Sequence, residues 1–322
     1  MVTVDLERVQ RLRERFLEGR RGRRAMPDYW RDARDLAAYD AILGARIGWK
    51  WDAALAECAA RGWRPSAGHT VLDFGCGSGV AARRYVDRFG AGEVRYHDRS
   101  PHAMAFAVER MQEGHAHVAV VAQPSVRDLE VDVVLVSHVV SELDERGLQQ
   151  LEQLLRRCPR AIVVESGNRP VARRLAALRD RLLDQFGVVA PCPHRQPCPT
   201  LANDDDWCHF FASPPGEVFT DGDWVKAARS LGIDLRSLPY AFVALDRDAA
   251  DAERQSPRVP ETRVRNRRVL GRASINPVVA TAQACSASGL ESIEVHKRTD
   301  ARLWRALKKN PEQAQELLQD RP

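Results

Sequence analysis

Residues 71–79 read VLDFGCGSG, a short apolar strand that ends on an acid and runs without a spacer into three alternating glycines. Gly75, Gly77 and Gly79 permit a tight turn and let the backbone approach a ligand with no Cβ in the way. A helical pattern follows at once, over 80–89. Asp73, at the strand's end, is placed to accept hydrogen bonds from cationic or hydroxyl groups of a ligand. A dinucleotide-binding turn differs, because its glycines open a helix beneath a pyrophosphate.

The chain around this turn alternates. Strand-like runs occur at Thr70–Phe74, Glu93–His97, Val118–Ala122, Val131–Ser137 and Ala161–Glu165. Helical patterns occupy 80–89, the stretch after Ser100-Pro101, Glu145–Arg157 and Val171–Phe186, with Pro101 favoured in a first helical turn. Such alternation predicts an α/β fold, a parallel sheet covered by helices on both faces. Ligands of such sheets bind at the carboxyl ends of the strands. Asp98 follows the second strand in YHDRS, where it is placed to hold a ribose diol.

VLDFGCGSG resembles motif I of the class I S-adenosylmethionine methyltransferases, and DRS at 98–100 resembles their ribose-binding acidic turn. The resemblance covers about 69–166. It implies a Rossmann-like methyltransferase sheet and S-adenosylmethionine, or its demethylated product, bound by Asp73, Gly75, Gly77, Gly79, Asp98, Arg99 and Ser137. No NPPY-type string follows Val131–Val136 to hold a flipped base amine; the chain reads SHVVSELD at 137–144. No cysteine is placed as a cytosine-C5 nucleophile would be. His138 and Glu142 are the candidate bases, a polar cap at the sheet edge being the equal alternative. The methyl acceptor is not legible.

Three segments are expected. Residues 1–68 read as a basic helical extension, helical over 3–20 and about 36–61, with Tyr39, Trp49, Trp51 and Leu55 read as core rather than base-stacking residues. Residues 69–246 form the S-adenosylmethionine-binding domain, with an irregular Cys-rich insertion at 187–222, a helix at Asp223–Leu231 and a strand at Tyr240–Leu245. Residues 247–322 read as a polar, basic linker to 266, then a small β unit at Leu270–Ala284 and Leu290–Val295, then a helix over 300–319. With 44% apolar residues in 322, disorder over the whole length is excluded. No apolar run approaches the roughly 20 residues that span a bilayer, so no membrane partner is expected.

Seven cysteines are too few for a disulfide scaffold. The charged start MVTVDLERVQRLRERF lacks a secretory-type apolar stretch, so reduced thiols and a cytoplasmic location are expected. Cys58, Cys76 and Cys158 read as packing or turn residues. Cys192, Cys198, Cys208 and Cys285 lie late in the chain, with gaps of five and nine residues and then a long return. Zinc ribbons and knuckles use CxxC grips, whereas wide prolyl loops also wrap a polynuclear cluster on four thiolates. Iron–sulfur, zinc with His194 or His209, and metal-free buried thiols all remain open on spacing alone.

The net charge of +5 is unevenly placed. Residues 1–24 hold eight Arg against four acids, 254–272 hold seven Arg against Glu261, and 297–309 hold six Lys/Arg against Asp300. The rest of the chain is acidic. Clustered arginine is the footprint of a polyanion-binding surface, with Arg263, Arg265, Arg267 and Arg268 the densest group; solvated helix faces and a soluble linker are the bland alternative.

SHVVSEL, VVESG at 163–167, APCPH through WCHF at 190–210, and the basic end from Cys285 to Lys309 together resemble a family of methyltransferase-like assembly factors of the small ribosomal subunit, found in bacteria and mitochondria. The similarity runs over about 36–309. It implies a [4Fe–4S] cluster on Cys192, Cys198, Cys208 and Cys285, attachment to small-subunit rRNA, and weak or absent methyl transfer. Two stretches depart from the family pattern. Ser166-Gly167-Asn168 replace an expected glycine and proline after Glu165, and FFASPP follows where Arg and Lys are expected. An active methyltransferase on a small molecule or peptide, with a structural metal site, and a non-enzymatic RNA-binding module are the competing functions.

Overall fold

The computed structural model describes residues 4–19, 28–249, 267–309, 314–315 and 317–318. It contains two compact units, Met1–Glu165 with Ala212–Leu238, and Ser166–Phe211 with Pro239–Pro322. The division does not follow the expected boundaries at 68/69 and 246/247. The N-terminal helices belong to the first unit, and the Cys-rich segment and the last strands to the second.

In the first unit, α1 (Leu6–Gly19), α2 (Ala33–Tyr39) and α3 (Ala45–Ala60) precede the sheet, with a π-helical turn at Asp40–Gly44 between the last two. The strands β1 (Thr70–Phe74), β2 (Glu93–His97), β3 (Ala119–Ala122), β4 (Val133–Ser137) and β5 (Arg160–Ser166) lie in the order β3-β2-β1-β4-β5. All four pairings are parallel. β4 is apolar because both faces of the sheet are covered there; Val133, Val134, Leu135 and Val136 are all fully buried. The crossovers are α4 (Val80–Phe89), α5 (Pro101–Gly114) and α6 (Glu145–Leu155). In α6 the buried stripe Leu148, Leu151, Leu154 and Leu155 has helical spacing, and Asp144 caps the start by accepting the Gly147 N–H at 2.8 Å. Trp51 is fully buried and Trp49 nearly so, as core residues.

The second unit begins with α7 (Arg169–Leu182), capped by Asn168, whose Oδ1 accepts the Val171 N–H at 3.1 Å. Gly167 is required just before it: a Cβ there would stand 2.6 Å from the Tyr240 amide nitrogen. The segment expected to be irregular holds two strands, β6 (Gly187–Ala190) and β7 (Phe210–Phe211). Both pair antiparallel with β8 (Pro239–Asp246), and each is too short for its alternation to register in the sequence. A separate antiparallel sheet of β9 (Arg268–Ile275), β10 (Val279–Ser286) and β11 (Gly289–His296) has the order β11-β10-β9. The run 270–284, expected within a small β unit, forms two strands that turn at Asn276, whose Oδ1 accepts the Val278 and Val279 N–H groups, an Asx turn. A short helix, α9 (Ala301–Lys309), which in chain order follows α8 (Gly222–Leu231) of the first unit, buries Leu303, Trp304 and Leu307 against Val269, Ala280, Ala282 and Val295. Among the described residues, no helix is long and apolar enough to cross a membrane.

Candidate functional site

The glycine turn is held open by backbone bonds. Gly75 and Cys76 N–H donate to the His97 carbonyl at 2.7 and 3.0 Å, which ties the end of β1 to the end of β2. Gly75, Gly77 and Gly79 have φ of 69°, 50° and 74°, values that suit glycine. The Gly77 N–H donates to Asp98 Oδ2 at 3.0 Å and the Ser100 N–H to Asp98 Oδ1 at 2.9 Å. Burial pushes the Asp98 carboxyl up, and these two N–H groups favour its ionised form. A cleft opens at this point, with about 890 Å³ free of protein atoms when its mouth is included.

Gly75, Gly77, Asp98, Arg99, Ser137, His138 and Glu142 all line the cleft. Asp73 and Gly79 are not among its walls. Asp73 Oδ2 accepts the Ala82 N–H at 3.2 Å in the first turn of α4. Gly79 serves packing: a Cβ there would stand 2.7 Å from Ala107 Cβ. Ser137 accepts from Trp51 Nε1 at 2.9 Å. His138 has φ 58°, and its N–H donates to the Val164 carbonyl at 2.9 Å. Glu142 is engaged as an ion pair rather than standing ready as a base. It accepts from Arg99 Nη2 at 2.9 Å and from the Tyr29 hydroxyl at 3.2 Å.

Two wall residues were not anticipated. Tyr29 and Trp30 line the cleft, Tyr29 beneath the Arg99 guanidinium (5.5 Å to the ring centroid) and Trp30 tilted against Tyr29 and edge-on to Tyr39. Nearby, Asp40 in the π-helical turn receives Arg83 Nη2 at 2.7 and 2.9 Å, while Arg83 Nη1 donates to the Ser78 carbonyl. The only signal in the sequence was the DYW triplet at 28–30.

Burial raises the Asp73 carboxyl to about 8. The unfolded carboxyl ionises near 4, so the folded state binds more protons between those values. Stability should therefore fall as pH rises from about 4 to about 8, and level off above. Asp73→Asn keeps an acceptor for the Ala82 N–H and removes the ionisation. It is expected to flatten that slope and to stabilise the protein at pH 8 by up to about 5 kcal/mol, as read from denaturant midpoints at several pH values. Equal pH slopes for the two proteins would contradict it.

In the second unit, Cys192, Cys198, Cys208 and Cys285 line one pocket with Arg179, His194 and Arg268. Cys285 is on β10, opposite Arg268 of β9, so the long return in the sequence is the path through β8 and β9. His194 Nε2 lies 3.3 Å from Cys285 Sγ. His209 is not among the pocket walls; it stacks on Trp207 at 4.8 Å and packs over Gly271. Burial and the neighbouring cysteines push the Cys208 thiol well up and the Cys285 thiol to about 12. The Cys208 and Cys285 thiols therefore resist ionising, and a bound cationic group would reverse that by coordinating thiolates. The donor set fits a four-thiolate group. Among the described residues, no three His, Cys, Asp or Glu side chains are drawn together as a single ion would need. Cys58, Cys76 and Cys158 are buried elsewhere.

The basic segments separate on inspection. Arg8 Nη1 and Arg11 Nη2 both pair with buried Asp35, at 2.6 and 2.5 Å, so part of the N-terminal charge is internal. Arg263 and Arg265, with the rest of 250–266, lie outside the described residues. Arg267 pairs with Glu291 at 2.9 Å, and Arg268 lies over the Phe210 ring at 4.3 Å in the cysteine pocket. Arg267 and Arg268 are thus both engaged within the protein. Arg298, Arg302, Arg305, Lys308 and Lys309 are exposed on and just before α9.

A parallel sheet of this order, with a glycine turn after β1 and an acid after β2, defines a class I methyltransferase-like α/β protein. Residues 49–283 match the family described as mitochondrial small ribosomal subunit Rsm22, and the chain belongs to that family. The match includes Cys192, Cys198 and Cys208 and stops just before Cys285. Among solved structures, the chain is similar to magnesium protoporphyrin IX methyltransferase (ChlM) from Synechocystis PCC 6803 with bound SAM. That pair is 14% identical, covering 77% of this chain and 99% of the other, at a TM-score of 0.41. It is also similar to M. capricolum TrmK in complex with S-adenosyl-homocysteine, at 9% identity, 61% and 68% coverage and a TM-score of 0.34. Among curated proteins none matches.

Proposed function

We propose that this chain is an S-adenosylmethionine-binding, methyltransferase-like factor that attaches to the rRNA of the small ribosomal subunit and carries a [4Fe–4S] cluster on Cys192, Cys198, Cys208 and Cys285. The observation that carries the reading is family membership over a span that holds both the glycine cleft and three of the four cysteines. In the cleft, Asp98 is oriented by the Gly77 and Ser100 N–H groups to accept from ribose hydroxyls, and Tyr29 and Trp30 exclude water from the mouth. The cofactor, when bound, supplies an electrophilic methyl group. Glu142 acts as the latch between Tyr29 and Arg99, so His138 is left as the candidate base for methyl transfer. In the second unit, four clustered thiols supply the donors an iron–sulfur cluster takes. Protein purified without air should hold iron and acid-labile sulfide, and should crosslink to small-subunit rRNA in cells. Stoichiometric zinc without sulfide would favour the other metal, and labelled methyl transfer to a small metabolite without rRNA crosslinks would favour the small-substrate enzyme.

The RNA surface is assigned to the α9 end of the second unit, where Leu303, Trp304 and Leu307 face inward and Arg298, Arg302 and Arg305 face solvent. Each phosphate contact releases counterions, so affinity falls with salt. Replacing Arg298, Arg302 and Arg305 by Gln should lower the slope of log affinity against log salt by up to about 2–3, the worth of three contacts. An unchanged slope on a small-subunit rRNA fragment, with the variant folded, would remove this surface from the reading.

A further inference from the structure

The cysteine pocket contains a buried cation. The side chain of Arg179, on α7, is 3% exposed. Its Nη1 donates to Asp180 Oδ1 at 2.5 Å and to the Gln196 carbonyl at 2.7 Å, and its Nη2 to the His194 carbonyl at 2.7 Å. Asp180 in turn accepts the Cys198 N–H through Oδ2 at 2.8 Å. Three of the five guanidinium donors thus brace, directly or through Asp180, the loop that carries Cys192 and Cys198. Of the two that remain, the Nε–H is buried and meets no acceptor among the described residues. Leaving such a donor dry costs about 1–3 kcal/mol, more for a charged group, so an acceptor belonging to a bound group is the economical partner. Arg179 lines the same pocket as the four cysteines, and the pull of Cys192 and Cys198 helps hold its own pKa above the ordinary value, against the opposing effect of burial.

We infer that Arg179 is the charge-compensating donor of this site: its Nε–H hydrogen-bonds a sulfur of the anionic metal–thiolate group held by Cys192, Cys198, Cys208 and Cys285, and its charge helps set that group's reduction potential. The inference rests on the iron–sulfur reading. Four thiolates around a doubly charged core leave a net anion, and a buried anion needs a countercharge. Reduction by one electron increases the negative charge, so a fixed cation favours the reduced form. Hydrogen bonds to sulfur act in the same direction.

The test uses the full chain, purified without air, and one-electron reduction by dithionite followed by electron paramagnetic resonance. In Arg179→Gln the midpoint should move to more negative potential. At a fixed potential the ratio of reduced to oxidised cluster should fall at least about tenfold, or about 59 mV for one electron. Arg179→Lys keeps the charge, loses the Nε–H, and should shift less in the same direction. If Arg179 only braced the loop, both variants would lose occupancy while the remaining clusters titrated as in wild type. An unshifted midpoint in both variants overturns the inference, and in Arg179→Lys alone if the Gln variant does not fold. Wild-type protein without iron and sulfide would instead overturn the iron–sulfur reading beneath it.

Discussion

Cys208→Ser should strip the protein of nearly all its iron and sulfide and lower the stability of the second unit more than any other single change. The loop from Pro191 to Cys208 contains little regular structure beyond one turn of 3-10 helix at Pro199–Leu201. Its anchors are Arg173, which donates to the Thr200, Asn203 and Asp206 carbonyls, the Arg179–Asp180 brace, and the four cysteines. Binding free energy at a structural metal site is folding free energy, of order 10 kcal/mol for such sites. A group that joins Cys192 to Cys285 also closes a long stretch of chain, which further restricts the unfolded state. Serine is a poor ligand for iron and cannot match the thiolate. The variant should therefore show an earlier thermal transition as well as bleached cluster absorption. Affinity for S-adenosylmethionine should stay within about twofold, because no wall of the glycine cleft belongs to the unit that carries the cysteines. Iron and sulfide at wild-type levels in Cys208→Ser would end the four-cysteine assignment.

The first unit was largely written in the apolar runs. Parallel strands buried on both faces appear as apolar runs, as in β4 and the middle of β5, and β1, β2 and their helices fall where the alternation of strand and helix puts them. The misses have local causes. The start of α7 was placed at Val171, although Asn168 as cap and Pro170 in the first turn mark it two residues earlier. β6 was lost in a segment dominated by Pro, Cys and Asp, because a four-residue strand led by glycine carries no usable alternation.

The site divided along the same line. Gly75, Gly77 and Asp98 belong to one contiguous β1–α4–β2 unit, where sequence order and spatial order agree. Tyr29 meets Glu142 across 113 positions of chain, and no periodicity reports a contact of that kind. Asp73 sits inside β1 with both neighbours on the strand buried or half-buried, and its carboxyl accepts the Ala82 N–H of the adjoining helix, a bond that strand periodicity does not announce. Arg179 was readable in principle. It lies four residues after Leu175 and three before Leu182, on the buried stripe of α7, and a charge on such a stripe requires a partner.

Gly77→Val should weaken S-adenosylmethionine binding by more than about 100-fold, or about 2.7 kcal/mol, while leaving the fold intact. Gly77 has φ 50°, a conformation that a β-branched residue adopts at a cost of about 1–3 kcal/mol. Relaxing that strain moves the Gly77 N–H, which is one of the two donors that fix Asp98. The side chain also points into the mouth: a Cβ would meet Trp30 Cζ2 at 3.8 Å, an ordinary contact, and nothing else within 4 Å. The valine methyls therefore occupy ligand space without striking the protein. Gly75 would be a poorer choice, because a Cβ there stands 2.4 Å from Val139 Cγ2 and any side chain would disrupt the turn itself. Gly77→Ala should fall between, with the backbone strain but little of the steric loss. Calorimetry giving equal affinity for wild type and Gly77→Val, with both proteins folded by circular dichroism, would refute the assignment of this cleft as the cofactor site.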